Sequence, residues 1–303
     1  MAIIIWAFYY IKDNLHEFEK IFNLNYWQFI LLSLLTIITL LIQGLTLKYV
    51  LTFYQLDLKF KEWLSFNSIN GISNYLFFRG GLFFKAAYLK KHHQLSLRKY
   101  IFIFSCLVFI QIPAISIIAL ISSLGIWILF KSFNYYLLTF LLIIFLAALT
   151  PSFIPNYFLL FFARKFSRLN KLIRTWIEVK KQKKTIFQIS GLIIINLLLI
   201  SLKIHFIFYF LWQPISFLKS LVITSLGTLS TIFALTPDSL GIKEIVMAYT
   251  AELLNNNFAT TAAVSSLDRV VTMIWVIIFG IFFSLLYLKK YKTKQELVYE
   301  KQQ

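Results

Sequence analysis

Residues 217–253 read FLKSLVITSLGTLSTIFALTPDSLGIKEIVMAYTAEL, and this stretch decides the fold. An apolar run is interrupted by Thr236-Pro237-Asp238-Ser239-Leu240-Gly241, and a second short apolar run follows. Neither run alone reaches the roughly 20 apolar residues that a helix needs to cross about 30 Å of hydrocarbon. A chain break in lipid strands backbone N–H and C=O groups, so it is tolerated only inside protein or beside water. Residues 63–89, WLSFNSINGISNYLFFRGGLFFKAAYL, repeat the same pattern with their break at Arg79-Gly80-Gly81. Short, Gly/Pro-interrupted apolar segments in matching places of two halves are a pointer to a transporter binding site.

The rest of the chain supplies the setting. It has 303 residues, 59% hydrophobic and only 14% charged, where a soluble domain carries roughly a quarter charged residues. An ordinary soluble globule is excluded, and an aromatic content of 18% excludes disorder. Apolar runs at residues 26–50, 100–123, 135–154, 186–211 and 259–288 are read as spans. Residues 2–11 are apolar but half that length and lack the features of a signal peptide, so they are read as the outer half of a shortened first span. The expected fold is all-α: a polytopic integral membrane protein of about six spans plus two re-entrant broken-helix hairpins in an inverted repeat.

The net charge of +18 invites a nucleic-acid reading, and its distribution argues against one. Twenty of the thirty cations fall in three groups, at residues 79–99, 164–184 and 289–301, each against a long apolar run. The positive-inside rule predicts this for cytoplasmic loops, and anionic lipid headgroups add to the attraction. With both broken segments as hairpins, all three groups and Lys48, Lys59 and Lys61 share the cytoplasmic side. Through-spans would split them. The first hairpin then enters from the cytoplasm and the second from the far side. The basic stretch 164–184 reads as an amphipathic interfacial segment joining halves at about 1–163 and 185–288. The tail, 289–303, reads as short, polar, cytoplasmic and frayed.

The breaks carry the candidate chemistry. A helix N-terminus exposes unpaired N–H groups and about half a positive charge, so it attracts anions. Gly80 and Gly81 would let a ligand approach the backbone beside Arg79 and Lys85, and Gly241 precedes Lys243-Glu244. Arg269, after Asp268, lies in the last apolar run, where an ionisable group faces a partner or a cavity. Arg79, Lys85, Lys243, Glu244 and Arg269 thus converge on an anionic headgroup site, with Glu244 and Asp268 holding the cations in position. Each has a plainer reading: Lys85 snorkelling to the interface, Arg79 as a loop cation, Lys243 and Glu244 neutralising each other. Asn67, Asn70 and Asn74 share one helix face, as substrate contacts or as interhelical hydrogen-bonding groups. Lys203 and His205 are candidates for a proton path, with a structural His as the alternative.

No catalytic set is recognisable. Gly-x-Ser-x-Gly, Walker and Cys/His zinc patterns are missing, and Cys106 is the single cysteine. Asp238, Glu244, Glu252 and Asp268 are the only acids between Val179 and Gln295. The reading leans away from an enzyme and implies no cofactor and no metal.

Asn74, then Arg79-Gly80-Gly81, Lys85-Ala86 and Tyr88-Leu89-Lys90, resembles the first signature of the lysylphosphatidylglycerol synthase transmembrane-region family, or flippase-like domain. Pro237-x-x-x-Gly241-x-x-Glu244, with Arg269 in the last helix, resembles its second. Phe77 and Phe78 stand where many members have a proline before the basic residue, and Leu82 where many have an acid. The resemblance implies one flippase-like domain, residues 1–288, without the soluble aminoacyltransferase domain of two-domain relatives. It implies a cell inner-membrane protein that binds and translocates an anionic lipid or lipid-linked glycan between leaflets. Implied site residues are Asn74, Arg79, Gly80, Gly81, Lys85, Pro237, Gly241, Lys243, Glu244 and Arg269. The alternatives are an intramembrane transferase acting on a polyprenyl-phosphate or phospholipid headgroup, with Glu244 or Asp238 as base, and a non-catalytic accessory subunit of envelope-lipid synthesis. A second copy of the chain or a glycosyltransferase remains open as a partner.

Overall fold

The structure, a computed structural model, describes residues 19, 24–54, 56, 58–76, 80–131, 134–155, 157–158, 167–233 and 236–300. The expected partial span at residues 2–11 and the side chain of Arg79 lie outside them. Among the described residues ten α-helices follow in order: α1 (Tyr26–Leu51), α2 (Phe60–Leu76), α3 (Gly80–His93), α4 (Leu97–Phe130), α5 (Tyr135–Phe153), α6 (Ser167–Lys181), α7 (Lys183–Phe210), α8 (Phe217–Phe233), α9 (Ile242–Leu253) and α10 (Phe258–Glu300). Single 3-10 turns occupy Thr52–Tyr54 and Pro237–Ser239, and no strand occurs among the described residues.

Polar residues mark the helix ends. The Gln28 side chain accepts from the Asn25 N–H (2.8 Å) at the start of α1, and Asn134 accepts from the Leu137 N–H (3.0 Å) at the start of α5. Helix α4 ends where Lys131 takes a left-handed conformation, φ 51°. Among the described residues, four helical segments are long and apolar enough to cross a membrane: Tyr26–Leu51, Lys99–Phe130, Lys183–Phe210 and Phe258–Phe283. The shorter of these have 26 residues, about 39 Å at 1.5 Å per residue, which exceeds the hydrocarbon thickness. Ile128, Tyr136, Phe187 and Trp212 are each at least 71% exposed, a surface suited to lipid rather than water. The protein is a multi-pass membrane protein.

Three details differ from the sequence reading. Helix α4 runs through Phe130, past the expected end at residue 123. The apolar part of α5, Tyr135–Thr150, is shorter than the four long helices. Helix α10 continues to Glu300, so residues 289–300 of the basic tail, expected to be frayed, are helical. Lys, Glu, Gln and Leu in that tail are good helix formers and extend a helix already nucleated in the bundle.

Both interrupted segments fold back on themselves. Helices α2 and α3 pack together, as do α8 and α9. Leu51 and Leu58 share a buried cluster with Leu89, Leu95, Tyr100 and Phe283, so α3 returns the chain to the end from which α2 departs. At the opposite end, Lys219 in the first turn of α8 donates to the Leu254 carbonyl beyond α9 (2.8 Å), and Asn134 Nδ2 donates to the Leu253 carbonyl (3.1 Å). The hairpins therefore enter the bundle from opposite ends.

The two ends also differ chemically. Tyr26, Trp27, Trp127, Tyr135, Tyr136 and Trp212, all exposed, ring the end where the second hairpin opens, in the manner of an interfacial aromatic belt. At the other end lie exposed Lys90, Lys91 and Lys99 and the amphipathic α6. Helix α6 buries Trp176 and Val179, with Trp176 packed 5.2 Å from Phe109 of α4, while Lys171, Arg174 and Lys181 face outward.

Candidate functional site

The three asparagines on one face of α2 all line the cavities described below, and two of them also hold the scaffold. Asn67 Nδ2 donates to the Leu40 carbonyl of α1 (2.8 Å), an interhelical bond. Asn74 Oδ1 accepts from the Gly81 N–H (2.9 Å), capping the first turn of α3 from within the same hairpin. A Cβ at Gly81 would lie 2.1 Å from Asn70 Oδ1 and 2.6 Å from the Asn70 carbonyl. Gly81 is thus required for the approach of α3 to α2, and its N–H serves the protein. This corrects the expectation that it is held open for a ligand.

Lys85 follows one turn further along α3. It is 8% exposed and lines two adjoining cavities, which rules out the snorkelling reading. Among the described residues, no carboxylate forms an ion pair with it. One cavity, of about 350 Å3, lies between the hairpins: Asn70, Asn74 and Lys85 face Thr236, Asp238 and Ser239 across it. The second, of about 310 Å3, extends toward α1 and α7 and is lined by Gln43, Thr46 and Asn196 among others. Asn70, Lys85, Tyr100, Phe104 and Gln111 belong to both.

The second break is held by charge. Asp238, Ser239 and Gly241 have φ of 45°, 61° and 82°, left-handed values that are costly for residues other than glycine. The Ser239 N–H donates to the Thr236 carbonyl (3.1 Å), and the Thr236 hydroxyl to the Leu240 carbonyl (2.9 Å). Arg269 Nη1 donates to the Asp238 carbonyl (3.2 Å) and stands 3.5 Å from its carboxylate, while Arg269 Nε pairs with Glu244 Oε1. The other Glu244 oxygen accepts from the Gly241 N–H (2.8 Å), which caps α9. The Pro237-x-x-x-Gly241-x-x-Glu244 pattern and Arg269 are one mechanical unit.

Next to this clamp, Asp268 takes Lys203 Nζ at 2.6 Å on one oxygen and Lys243 Nζ at 3.1 Å on the other. Lys203 also donates to the hydroxyls of Thr36 and Thr272, each at 3.1 Å, tying α7 to α1 and α10. Three cations, Lys203, Lys243 and Arg269, meet three carboxylates, Asp238, Glu244 and Asp268, so the network is neutral. The sequence reading grouped Lys85, Lys243, Glu244 and Arg269 around one headgroup. The structure separates them: Lys85 lines the cavities, whereas Lys243, Glu244 and Arg269 are engaged in the network and do not line either cavity. Asp238 belongs to both. Pro237 opens the 3-10 turn and is exposed.

Lys203 is a network member rather than a free proton carrier, and the signal for it was a lone cation deep in a span. His205 packs edge-on against Phe217, 5.9 Å between ring centres. Sequence reasoning missed Tyr100, Gln111 and Asn196. Each is a polar group within or at the start of a long apolar run, and that signal is weak until the walls are assembled.

Residues 1–280 match the family described as Lysylphosphatidylglycerol synthase TM region. No curated protein and no solved structure matches the chain. With nearly the whole chain covered and both broken-helix motifs seated in one bundle, this multi-pass membrane protein belongs to the lysylphosphatidylglycerol synthase transmembrane-region family, whose role lies in the lipid chemistry of the cell envelope.

Proposed function

We propose that the protein binds the headgroup of an anionic membrane lipid in the cavity around Lys85 and carries it between the leaflets of the cell inner membrane. One observation carries this reading: Lys85 is buried between both hairpins with no carboxylate partner among the described residues. An uncompensated buried ammonium costs several kcal/mol, and a bound phosphate removes that cost. The nearby cations are already neutralised, so the site offers one net positive charge.

Broken helices entering from opposite ends suit alternating access. The headgroup occupies the polar cavity, the lipid chains stay in the bilayer, and one half rocks against the other. The neutral network around Asp268 and Arg269 keeps the second break in shape during that motion. Arg79, which precedes Gly80-Gly81 in the sequence, is the second cation proposed to meet the headgroup. The cation-rich end faces the cytoplasm by the positive-inside rule. An intramembrane transferase would need a free base. Asp238 and Glu244, its two candidates, are both held by Arg269, which favours translocation.

The test is lipid scrambling in vesicles that contain the purified protein and fluorescent phosphatidylglycerol, read by quenching of outer-leaflet label. Lys85→Gln is expected to slow transfer about tenfold or more while the protein elutes as a folded species, a loss of about 1.4 kcal/mol in transition-state stabilisation. Transfer at the unaltered rate would overturn the proposed site.

A further inference from the structure

Helices α3 and α4 are tied together at the turn that joins them and part beyond it. Leu89, Leu95 and Tyr100 share a buried cluster at that turn, and the Leu95 N–H donates to the Leu89 carbonyl (3.2 Å). Further along, Leu82 and Lys85 of α3 and Phe104, Val108 and Gln111 of α4 all line the cavity between the hairpins. The cavity therefore separates the two helices. Among the residues that line it, Phe104 is 38% exposed, and Thr231, near the end of α8, is exposed as well. The cavity has a mouth on the side of the bundle, bounded by α3, α4 and the end of α8.

The rim of that mouth is apolar. Phe83 follows Leu82 on α3, Ile101 lies one turn before Phe104 on α4, and Phe233 closes α8; all three are exposed. On a multi-pass membrane protein such a rim suits hydrocarbon, whereas the buried ammonium of Lys85 lies behind it. The order of polarity is that of a lipid, with charge inside and chain outside. The volume agrees. About 350 Å3 is at the small end of ligand sites, enough for a headgroup but not for a pair of acyl chains as well. Phe104 lines the second cavity too, so its ring borders both lobes and the outer surface.

We propose that the cavity opens sideways into the bilayer at this mouth, and that the chains of a bound lipid leave it past Phe104, which acts as the gate. This inference rests on the headgroup-binding reading above and adds the route by which a lipid enters the site and the residue that controls it. A headgroup can then reach Lys85 without its chain methylenes being exposed to water.

The test places the photoreactive residue benzoyl-phenylalanine at Phe104 of the full-length protein, or at the exposed Ile143 of α5 as a lipid-facing control. The protein is held in nanodiscs of mixed phosphatidylglycerol and phosphatidylcholine, irradiated, and its lipid adducts are counted by mass spectrometry. At position 104, phosphatidylglycerol is expected to exceed its share of the mixture about fivefold or more, and to fall to that share in Lys85→Gln. At position 143 the adducts should follow the mixture with or without Lys85. Adducts at 104 that follow the mixture, while phosphatidylglycerol binding still depends on Lys85, overturn the mouth and leave the headgroup site standing. Binding or enrichment indifferent to Lys85→Gln overturns the two together. The gate has its own readout: Phe104→Trp should slow transfer in the vesicle assay about threefold or more, and an unaltered rate overturns it. Should benzoyl-phenylalanine at 104 prevent folding, the same reporter at Phe83 on the rim carries the comparison.

Discussion

Lys203 Nζ and Asp268 Oδ1 stand 2.6 Å apart, with their side chains only 3% and 4% exposed. These two residues join α7 to α10, and Lys243 brings in α9 through the other carboxylate oxygen. A buried charge left without its partner is strongly destabilising, by about 3–5 kcal/mol, whereas removing both charges is far cheaper. Asp268→Asn is therefore expected to cut the yield of folded protein sharply, because Lys203 loses its counter-charge. Lys203→Met combined with Asp268→Asn should recover much of it. Thermal unfolding in detergent checks this, and a double variant no more stable than Asp268→Asn would contradict the pairing.

Arg269 meets Asp238 and Glu244 through different guanidinium nitrogens. A lysine ammonium cannot reproduce that fork. Arg269→Lys should lower stability by about 1–3 kcal/mol and loosen the second break, since one hydrogen bond to a charged group is lost. Proteolysis at residues 236–241 and the melting temperature both report it. An unchanged melting temperature would show that the clamp does not hold.

The two break glycines should fail in different ways. Alanine at Gly81 meets Asn70 at 2.1 Å, including contact with its backbone, so α2 and α3 must separate. Alanine at Gly241 meets nothing within 4 Å and suffers only from φ 82°, at a cost of about 1–2 kcal/mol. Gly81→Ala should be the more damaging of the two in unfolding experiments. The reverse order would mean that the packing of the first hairpin is misassigned.

Accessibility tests the hairpins directly. Cys106 is fully buried, so Cys106→Ser provides a silent background for single cysteines. Cysteines replacing Lys59 and Gln94, on either side of the first hairpin, should react with an impermeant reagent from the same face of a vesicle. Those replacing Lys131 and Asn255 should react from the opposite face. Labelling of Lys59 and Gln94 positions from different faces would turn α2 and α3 into a crossing.

The breaks were legible because Pro and Gly are local signals: Pro237 and Gly241 delimit the turn whose left-handed residues the structure displays. The roles of the charges around them were not. Lys243 and Lys85 look alike in sequence, each close to a break, yet one faces Asp268 and the other a polar cavity. Which carboxylate a lysine reaches depends on how α7, α9 and α10 cross, and residues 203 and 268 are remote in the chain. Asn67 and Asn70, three residues apart on α2, both line the second cavity, and Asn67 also ties α2 to α1 through the Leu40 carbonyl.

By itself, the sequence determined the membrane setting, the all-helical fold, the two broken helices and the family, because hydropathy, helix length and chain-breaking residues are properties of neighbours along the chain. Charge parity along the chain also anticipated that the hairpins enter from opposite ends, but tertiary structure alone decided that Lys243 and Arg269 are neutralised while Lys85 has no carboxylate partner among the described residues, and that Tyr100, Gln111 and Asn196 lie around it. Those facts depend on the short-range geometry of charge pairing and packing between distant segments, where a shift of a few ångströms separates an ion pair from a binding site.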